Sequence, residues 1–145
     1  MNDTHYYEVN LRWNSATQGT LYTPVIASQI NEEKISKFSK KLKEKWTTEH
    51  LSVAAVSSCL MSTFLLVADN SKLKFISFES NAVGKIEKID SKFALTEIVL
   101  KPTLFIASIQ NESKAIHVLE MSEKACAFAS SIKTKITLES IITIK

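Results

Sequence analysis

The sequence predicts an α+β fold, and three observations carry that expectation. Apolar residues alternate at period two near both ends and through a long middle stretch, and two runs of helical spacing fall between them. The resulting order of strands, helices, hairpin, helix and strand lacks the βαβ alternation of a doubly wound sheet. With 145 residues, 45% of them apolar, the chain suits one domain spanning 1–145, and no internal repeat divides it.

Tyr7, Val9, Leu11 and Trp13 alternate with Glu8, Asn10 and Arg12, the signature of a half-buried strand, and Asn14 to Gly19 reads as its turn. Thr20 to Ser28 returns as a second extended run, in which Pro24 marks an edge position or a break between two short strands. The lysine-rich stretch from Asn31 to Lys45 spaces Ile35, Phe38 and Leu42 as a short amphipathic helix, capped by Asn31 with Glu32 and Glu33 in its first turn. Thr47 or Thr48 caps a second helix that runs to about Asn70.

Leu73 to Ile89 and Lys92 to Ile109 form a long hairpin turning near Asp90 and Ser91, with Pro102 expected at a bulge or an edge. From Glu112 to Ile132, the positions Ala115, Val118, Leu119, Ser122, Cys126 and Ala129 return to helical spacing. Ile136, Leu138, Ile142 and Ile144 then belong to a final strand.

Seventeen lysines and a single arginine, Arg12, lie scattered among acidic residues, a pattern of solvated surface. Reading guanine edges and phosphates in bidentate fashion takes several guanidinium groups, so nucleic acid is not the expected partner. Leu51 to Ala68 carries no charge over about the minimum length of a membrane span. Five hydroxyl residues (Ser52, Ser57, Ser58, Ser62, Thr63), the lack of an aromatic belt and the closing Asp69 favour a core helix buried on all sides instead. The start of the chain has neither the basic residues nor the apolar stretch of a secretory signal, which places the protein in the cytoplasm.

Gly19 and Gly84 are isolated, so no phosphate-cradling loop can be built from them. His5, His50 and His117 are scattered and no Cys-x-x-Cys occurs, which leaves a zinc site without support; no cofactor is implied. No nucleophile–histidine–acid grouping suggests a hydrolase. Two cysteines remain, Cys59 inside the uncharged helix and Cys126 on the later one. Each alone reads most simply as a small buried hydrophobe; in a reducing compartment the pair means chemistry or packing before a structural staple.

The stretch Glu49-His-Leu-Ser-Val-Ala-Ala-Val-Ser-Ser-Cys59-Leu-Met-Ser-Thr-Phe64 resembles a pattern of the OsmC/Ohr family: a glutamate, a leucine, a small-residue helix, then Ser/Ala-Cys-hydrophobic. Leu119-Glu-Met-Ser-Glu-Lys-Ala-Cys126, followed by Ser130-Ser-Ile-Lys, is similar to the family's helix with its second cysteine. Phe93-Ala-Leu-Thr-Glu-Ile-Val-Leu-Lys-Pro102 and the early Trp13 extend the likeness over roughly residues 6 to 144. The resemblance implies an OsmC-like fold, with long antiparallel strands wrapped around two central helices in an intertwined homodimer.

It also implies a cysteine-based enzyme of the oxidative stress response that reduces organic (alkyl or lipid) hydroperoxides. Cys59 would be the peroxidatic residue, Cys126 the resolving one, and a lipoyl-type dithiol or small thiol the reductant. Leu60, Phe64 and Phe128 would give the sulfur an apolar surround. Glu49 lies ten helical positions before Cys59, roughly 15 Å of rise, so it would reach Cys59 of a second subunit across a twofold axis or serve only the helix N-terminus.

The chain departs from the family pattern in three places. The hydroperoxide-resistance branch carries an arginine in the first turn, where this chain has Ser15-Ala-Thr-Gln18. That charge would hold the thiolate, leaving as substitutes Arg12, which strand alternation would turn away from the core, His50 or a lysine. Thr48 replaces the proline usual before the glutamate, and Ala127 the proline usual after the second cysteine. The alternative function is a non-peroxidatic OsmC-like protein that binds an apolar small molecule at the dimer interface.

Overall fold

The structure, a computed structural model, describes residues 4–23, 26–31 and 46–145. Its elements are β1 (Thr4–Ser15), β2 (Gln18–Thr23), β3 (Ile26–Asn31), α1 (Thr48–Asn70), β4 (Ser77–Ile89), β5 (Lys92–Ile106), α2 (Glu112–Ala125), α3 (Ala127–Ser131), β6 (Lys135–Leu138) and β7 (Ile141–Ile144). The helix expected over Asn31 to Lys45 lies outside the described residues apart from Asn31 itself, which ends β3. The strands form one seven-stranded sheet in the order β3-β2-β1-β4-β5-β6, with β7 also paired to β5.

β1 follows its alternation: Val9 and Leu11 are buried, Tyr7 and Trp13 half-buried, Glu8 and Arg12 exposed. Its turn is tighter than expected, because Ala16 adopts a left-handed φ of 51° and lets pairing continue to Ser15 and Gln18. The second extended run is indeed two strands, β2 and β3, paired antiparallel. β4 and β5 form the expected long hairpin, reversing through Asp90 and Ser91 with φ of 51° and 68°. Two successive left-handed residues match the right-handed twist of the flanking strands.

Pro102 does not bulge β5. It pairs with Ser80, and the register shift lies elsewhere, between Lys85 and Ile86. The carbonyls of Leu100 and Ile106 accept hydrogen bonds from Glu139 and Lys145, so even-numbered residues of β5 face β6 and β7. Pro102 falls where pairing passes from β6, which ends at Leu100, to β7, which begins at Thr103. The missing N–H therefore faces a gap and forfeits no ladder bond. The final strand is correspondingly two, split around Glu139 and Ser140.

Thr47 caps α1, accepting from the His50 amide while the His50 ring accepts from the Thr47 amide. The helix closes in a Schellman turn: Lys72 N–H reaches Asp69 O and Leu73 N–H reaches Ala68 O, with Lys72 at φ 58°. One face packs on β1 and β4 through Val53, Val56, Leu60, Met61 and Phe64, all fully buried. The bed is a column of small residues on β4, Ser80, Ala82 and Gly84, each buried. A Cβ at Gly84 would collide with Val53 Cγ2, so the close approach depends on that glycine.

α1 is long and apolar enough to cross a membrane by length and composition; its packing against the sheet accounts for much of that apolar character. The expectation of burial on all sides needs correction for a single chain. Ala55, Ser62, Leu66 and Asp69 are exposed and Ser58, Cys59 and Leu65 half-buried, which leaves one open stripe along the helix. α2 packs beside α1 through Ala115, Val118, Leu119 and Ser122. It stops one residue before Cys126, whose φ of −65° and ψ of 108° separate it from α3. The continuous helix expected to carry Cys126 is thus two helices with the cysteine at their junction.

Candidate active site

Cys59 and Cys126, 67 residues apart in sequence, are joined by a disulfide with a Cα–Cα separation of 6.0 Å, ordinary for such a bond. Helical phase explains how α1 presents its sulfur. Val56, Leu60 and Phe64 turn to the sheet, and Cys59 falls at the border between that face and the open stripe, where it is half-buried. Cys126 arrives from the other side. The break after α2 carries it towards α1, leaves it 2% exposed, and is held by its own N–H donating to Glu123 O.

Around Cys59 opens a cleft of about 500 Å³, walled by Leu51, Ala54, Ala55, Ser58, Ser62 and Phe128. No charged side chain lines it. Of the expected apolar surround, Phe128 is present, on α3. Leu60 and Phe64 are not, because successive helix positions turn through about 100° and both point into the core, 0% exposed. On α1 the cleft is lined instead by Leu51, Ala54, Ala55, Ser58 and Ser62, of which Ala55 and Ser62, four before the cysteine and three after it, are its neighbours on the helix surface. That spacing was available in the sequence.

The remaining candidates do not meet Cys59 within the chain. Glu49 lies in the first turn of α1, half-buried, where its charge favours the helix N-terminus. His50, 7% exposed, closes the cap: its Nδ1 is 2.9 Å from Thr47 Oγ1, and its ring packs edge-on against Tyr7 at 5.1 Å. Burial pushes its pKa below the ordinary value of 6.5, opposed by the Glu49 charge. Arg12 is exposed and set over the Tyr22 ring at 5.8 Å; strand alternation turns it away from the face that Val9 and Leu11 present to α1. No group of three His, Cys, Asp or Glu among the described residues is placed to hold a metal ion.

A second, apolar groove of about 780 Å³ continues along the C-terminal half of α1. Trp13, Ala16, Leu65, Leu66 and Phe75 are among its walls, with Asp69 and Lys74 contributing the charged groups. Ser62 lines both the groove and the Cys59 cleft.

A mixed sheet bearing two packed helices, with one cysteine on the first and its partner at the end of the second, defines a dithiol protein of α+β architecture. The chain belongs to the OsmC-like protein family, whose sequence model matches residues 41–140. No curated protein matches it in sequence. Among solved structures, it resembles an OsmC-like protein of unknown function from Vibrio cholerae, with a TM-score of 0.62 and 22% identity over 97% of this chain and 100% of that one. It is similar to an OsmC-like protein from Mycoplasma pneumoniae, with a TM-score of 0.60 and 17% identity over 94% and 96% of the two chains. An organic hydroperoxide resistance protein from Elizabethkingia anophelis aligns with a TM-score of 0.57 and 17% identity over 97% and 96%. These likenesses bear on the fold.

Proposed function

We propose that the protein is a dithiol peroxidase that reduces organic hydroperoxides, with Cys59 as the attacking sulfur and Cys126 as the resolving one. The observation that carries the reading is the bond between two cysteines on separate helices, one half-open to an uncharged cleft and the other buried behind it. The Cys59 thiolate attacks the terminal oxygen of ROOH; an S–O bond forms, the O–O bond breaks, and the departing alkoxide takes a proton to give ROH. The Cys126 thiol then attacks the sulfenic sulfur, forming the disulfide and releasing water. A dithiol of lipoyl type, or a small thiol, restores both cysteines by exchange. In the cytoplasm we infer for the chain, a disulfide is more often catalytic than structural.

The apolar cleft suits an alkyl or lipid hydroperoxide better than hydrogen peroxide. A homodimer completes the proposal. The open side of α1 is uncharged from Leu51 to Leu66, and an antiparallel copy crossing it near Ala54 and Ala55 would bring Glu49 of one subunit towards Cys59 of the other, with the groove beyond Ser62 outside the crossing. Arg12 or His50 could reach a sulfur only by the same route. One observation favours the second reading, an OsmC-like protein that binds an apolar small molecule without turning it over: the turn at Ala16 and Thr17 carries no cation, and the groove beside it is apolar.

Treating the reduced protein with an alkyl hydroperoxide and following its mass separates the two. Rapid loss of two hydrogens with a Cys59–Cys126 crosslink supports the peroxidase; thiols that stay inert support the binder.

A further inference from the structure

We propose that Ser62 is a further catalytic residue, donating its hydroxyl hydrogen bond to the peroxide oxygen that leaves. The inference rests on the peroxidase reading above and deepens it. Ser62 follows Cys59 by three helical positions, which places their Cβ atoms about 5–6 Å apart on the same surface. A single peroxide group and one hydrogen bond fill that interval. It is also the residue shared by the Cys59 cleft and the apolar groove. An alkyl chain lying in the groove with its peroxide at the sulfur must therefore pass over Ser62.

The hydroxyl is available for this. Ser52, on the same helix, returns its hydroxyl to Thr48 O at 3.0 Å, the usual resting place of a helical serine. Ser62 makes no such bond and has no partner among the described residues. With no charged side chain lining the cleft, a hydroxyl from Ser62 or Ser58 is the donor that α1 can offer to developing negative charge. Of these two, Ser62 lies on the side where the alkyl group must sit.

In the step, the Cys59 thiolate bonds to the terminal oxygen, which stays on sulfur with its hydrogen as the sulfenic acid. The O–O pair departs on the proximal oxygen as RO⁻. Ser62 donates a hydrogen bond to that alkoxide as its charge grows, and water supplies the proton that completes ROH.

The test compares two oxidants that differ in leaving group, in single-turnover oxidation of the reduced protein. A linear alkyl hydroperoxide expels a strongly basic alkoxide, whereas peracetic acid expels acetate, which needs little help. Ser62→Ala is expected to slow the alkyl hydroperoxide about tenfold and peracetic acid less than about twofold. Ser62→Thr, which keeps the hydroxyl, should recover most of the loss. The pH profile of Cys59 alkylation by iodoacetamide should not move.

Equal slowing of both oxidants, or an unchanged rate with the alkyl hydroperoxide, overturns the assignment. So does a displaced alkylation profile, which would put the hydroxyl on the sulfur instead. If the unsubstituted protein reacts with neither oxidant, the peroxidase reading itself fails and takes this one with it.

Discussion

The two faces of α1 are built to different standards. Towards the sheet, Val53 sits so close to Gly84 that not even a methyl group fits between them, and Phe64 stacks on Phe78 at 5.0 Å. Towards the open side, Ala55, Ser58, Cys59, Ser62 and Leu66 share a shallow strip, flanked by Cys126 and Phe128 at the sulfur and by Trp13 and Phe75 further along. Both faces are uncharged. The inner one fixes where the helix lies and the outer one holds the sulfur, so a substitution should disturb stability or chemistry according to the face it falls on.

The largest effect expected is on the outer face. Cys59→Ser should reduce peroxide-dependent dithiol consumption to background while leaving the melting temperature of the reduced protein where it was. Cys126→Ser should still allow one oxidation of Cys59 but no crosslink, so that sulfinic acid accumulates with excess peroxide and is seen by mass. Full turnover in Cys59→Ser would remove the sulfur from the mechanism. A large fall in melting temperature would show that the outer face also carries the fold, and the contrast would dissolve.

Next comes the inner face. Gly84 has no left-handed φ to protect, so Gly84→Ala tests only the space. The added Cβ meets Val53, and a β-branched residue on a helix has one favoured rotamer and cannot swing aside. Overpacking of this kind costs about 1–3 kcal/mol, a fall of several degrees in melting temperature read by calorimetry. An unchanged melting temperature would mean that α1 lies further from β4 than described. Activity per folded molecule should stay near that of the parent.

How far the sequence could be read follows the same contrast. Charge and turn chemistry made the ends of α1, the hairpin at Asp90 and the alternation of β1 legible, because each leaves a local chemical mark. The phase of α1 left none. With serine, alanine and leucine on both faces, periodicity could not tell which stripe met the sheet, and Leu60 and Phe64 were assigned to the sulfur's surround when they belong to the core. The break at Cys126 was equally silent, since Lys-Ala-Cys-Ala-Phe-Ala contains no glycine or proline to signal it. Pro102 carried a mark with two readings, a bulge or an edge: the missing N–H meets a local edge, and only the partners of β5 reveal that it lies in the gap between β6 and β7.

A smaller effect concerns pH at the start of the helix. His50 Nδ1 accepts from the Thr47 amide, so the ring must be neutral at that nitrogen for the cap to form. Burial lowers its pKa in the folded protein, while the unfolded chain keeps the ordinary value of 6.5. Between the two values the unfolded state binds more protons, so stability rises with pH there. The cap's contribution is accordingly complete above about pH 6.5 and is lost as pH falls from that value towards the folded one. His50→Gln keeps an acceptor at the same helix position without titrating, and should flatten this part of the melting curve's pH dependence. Parallel decline in both proteins between pH 7.5 and 5.5 would assign the loss to groups other than His50.

The smallest effect is a gain, and it separates the two faces most cleanly because the same replacement can be made on each. Ser57 is 0% exposed, and its hydroxyl has no hydrogen-bond partner, although Ser52 and Ser122 in comparable helical positions return theirs to Thr48 O and Val118 O. A buried, unpaired hydroxyl is a desolvated polar group with nothing in exchange. Ser57→Ala removes it, changes the volume little, and improves helix propensity, so about 1 kcal/mol of added stability is expected, roughly 3 °C in melting temperature. Ser62→Ala on the open face removes a hydroxyl that water can solvate, and its stability should change by less than about 0.5 kcal/mol. The inner replacement should therefore stabilise without touching peroxide reduction, and the outer one should slow the alkyl hydroperoxide without stabilising. Should Ser57→Ala instead lower the melting temperature, its hydroxyl must be satisfied after all, with a water held between α1 and the likewise unpaired Ser80 as the first place to look.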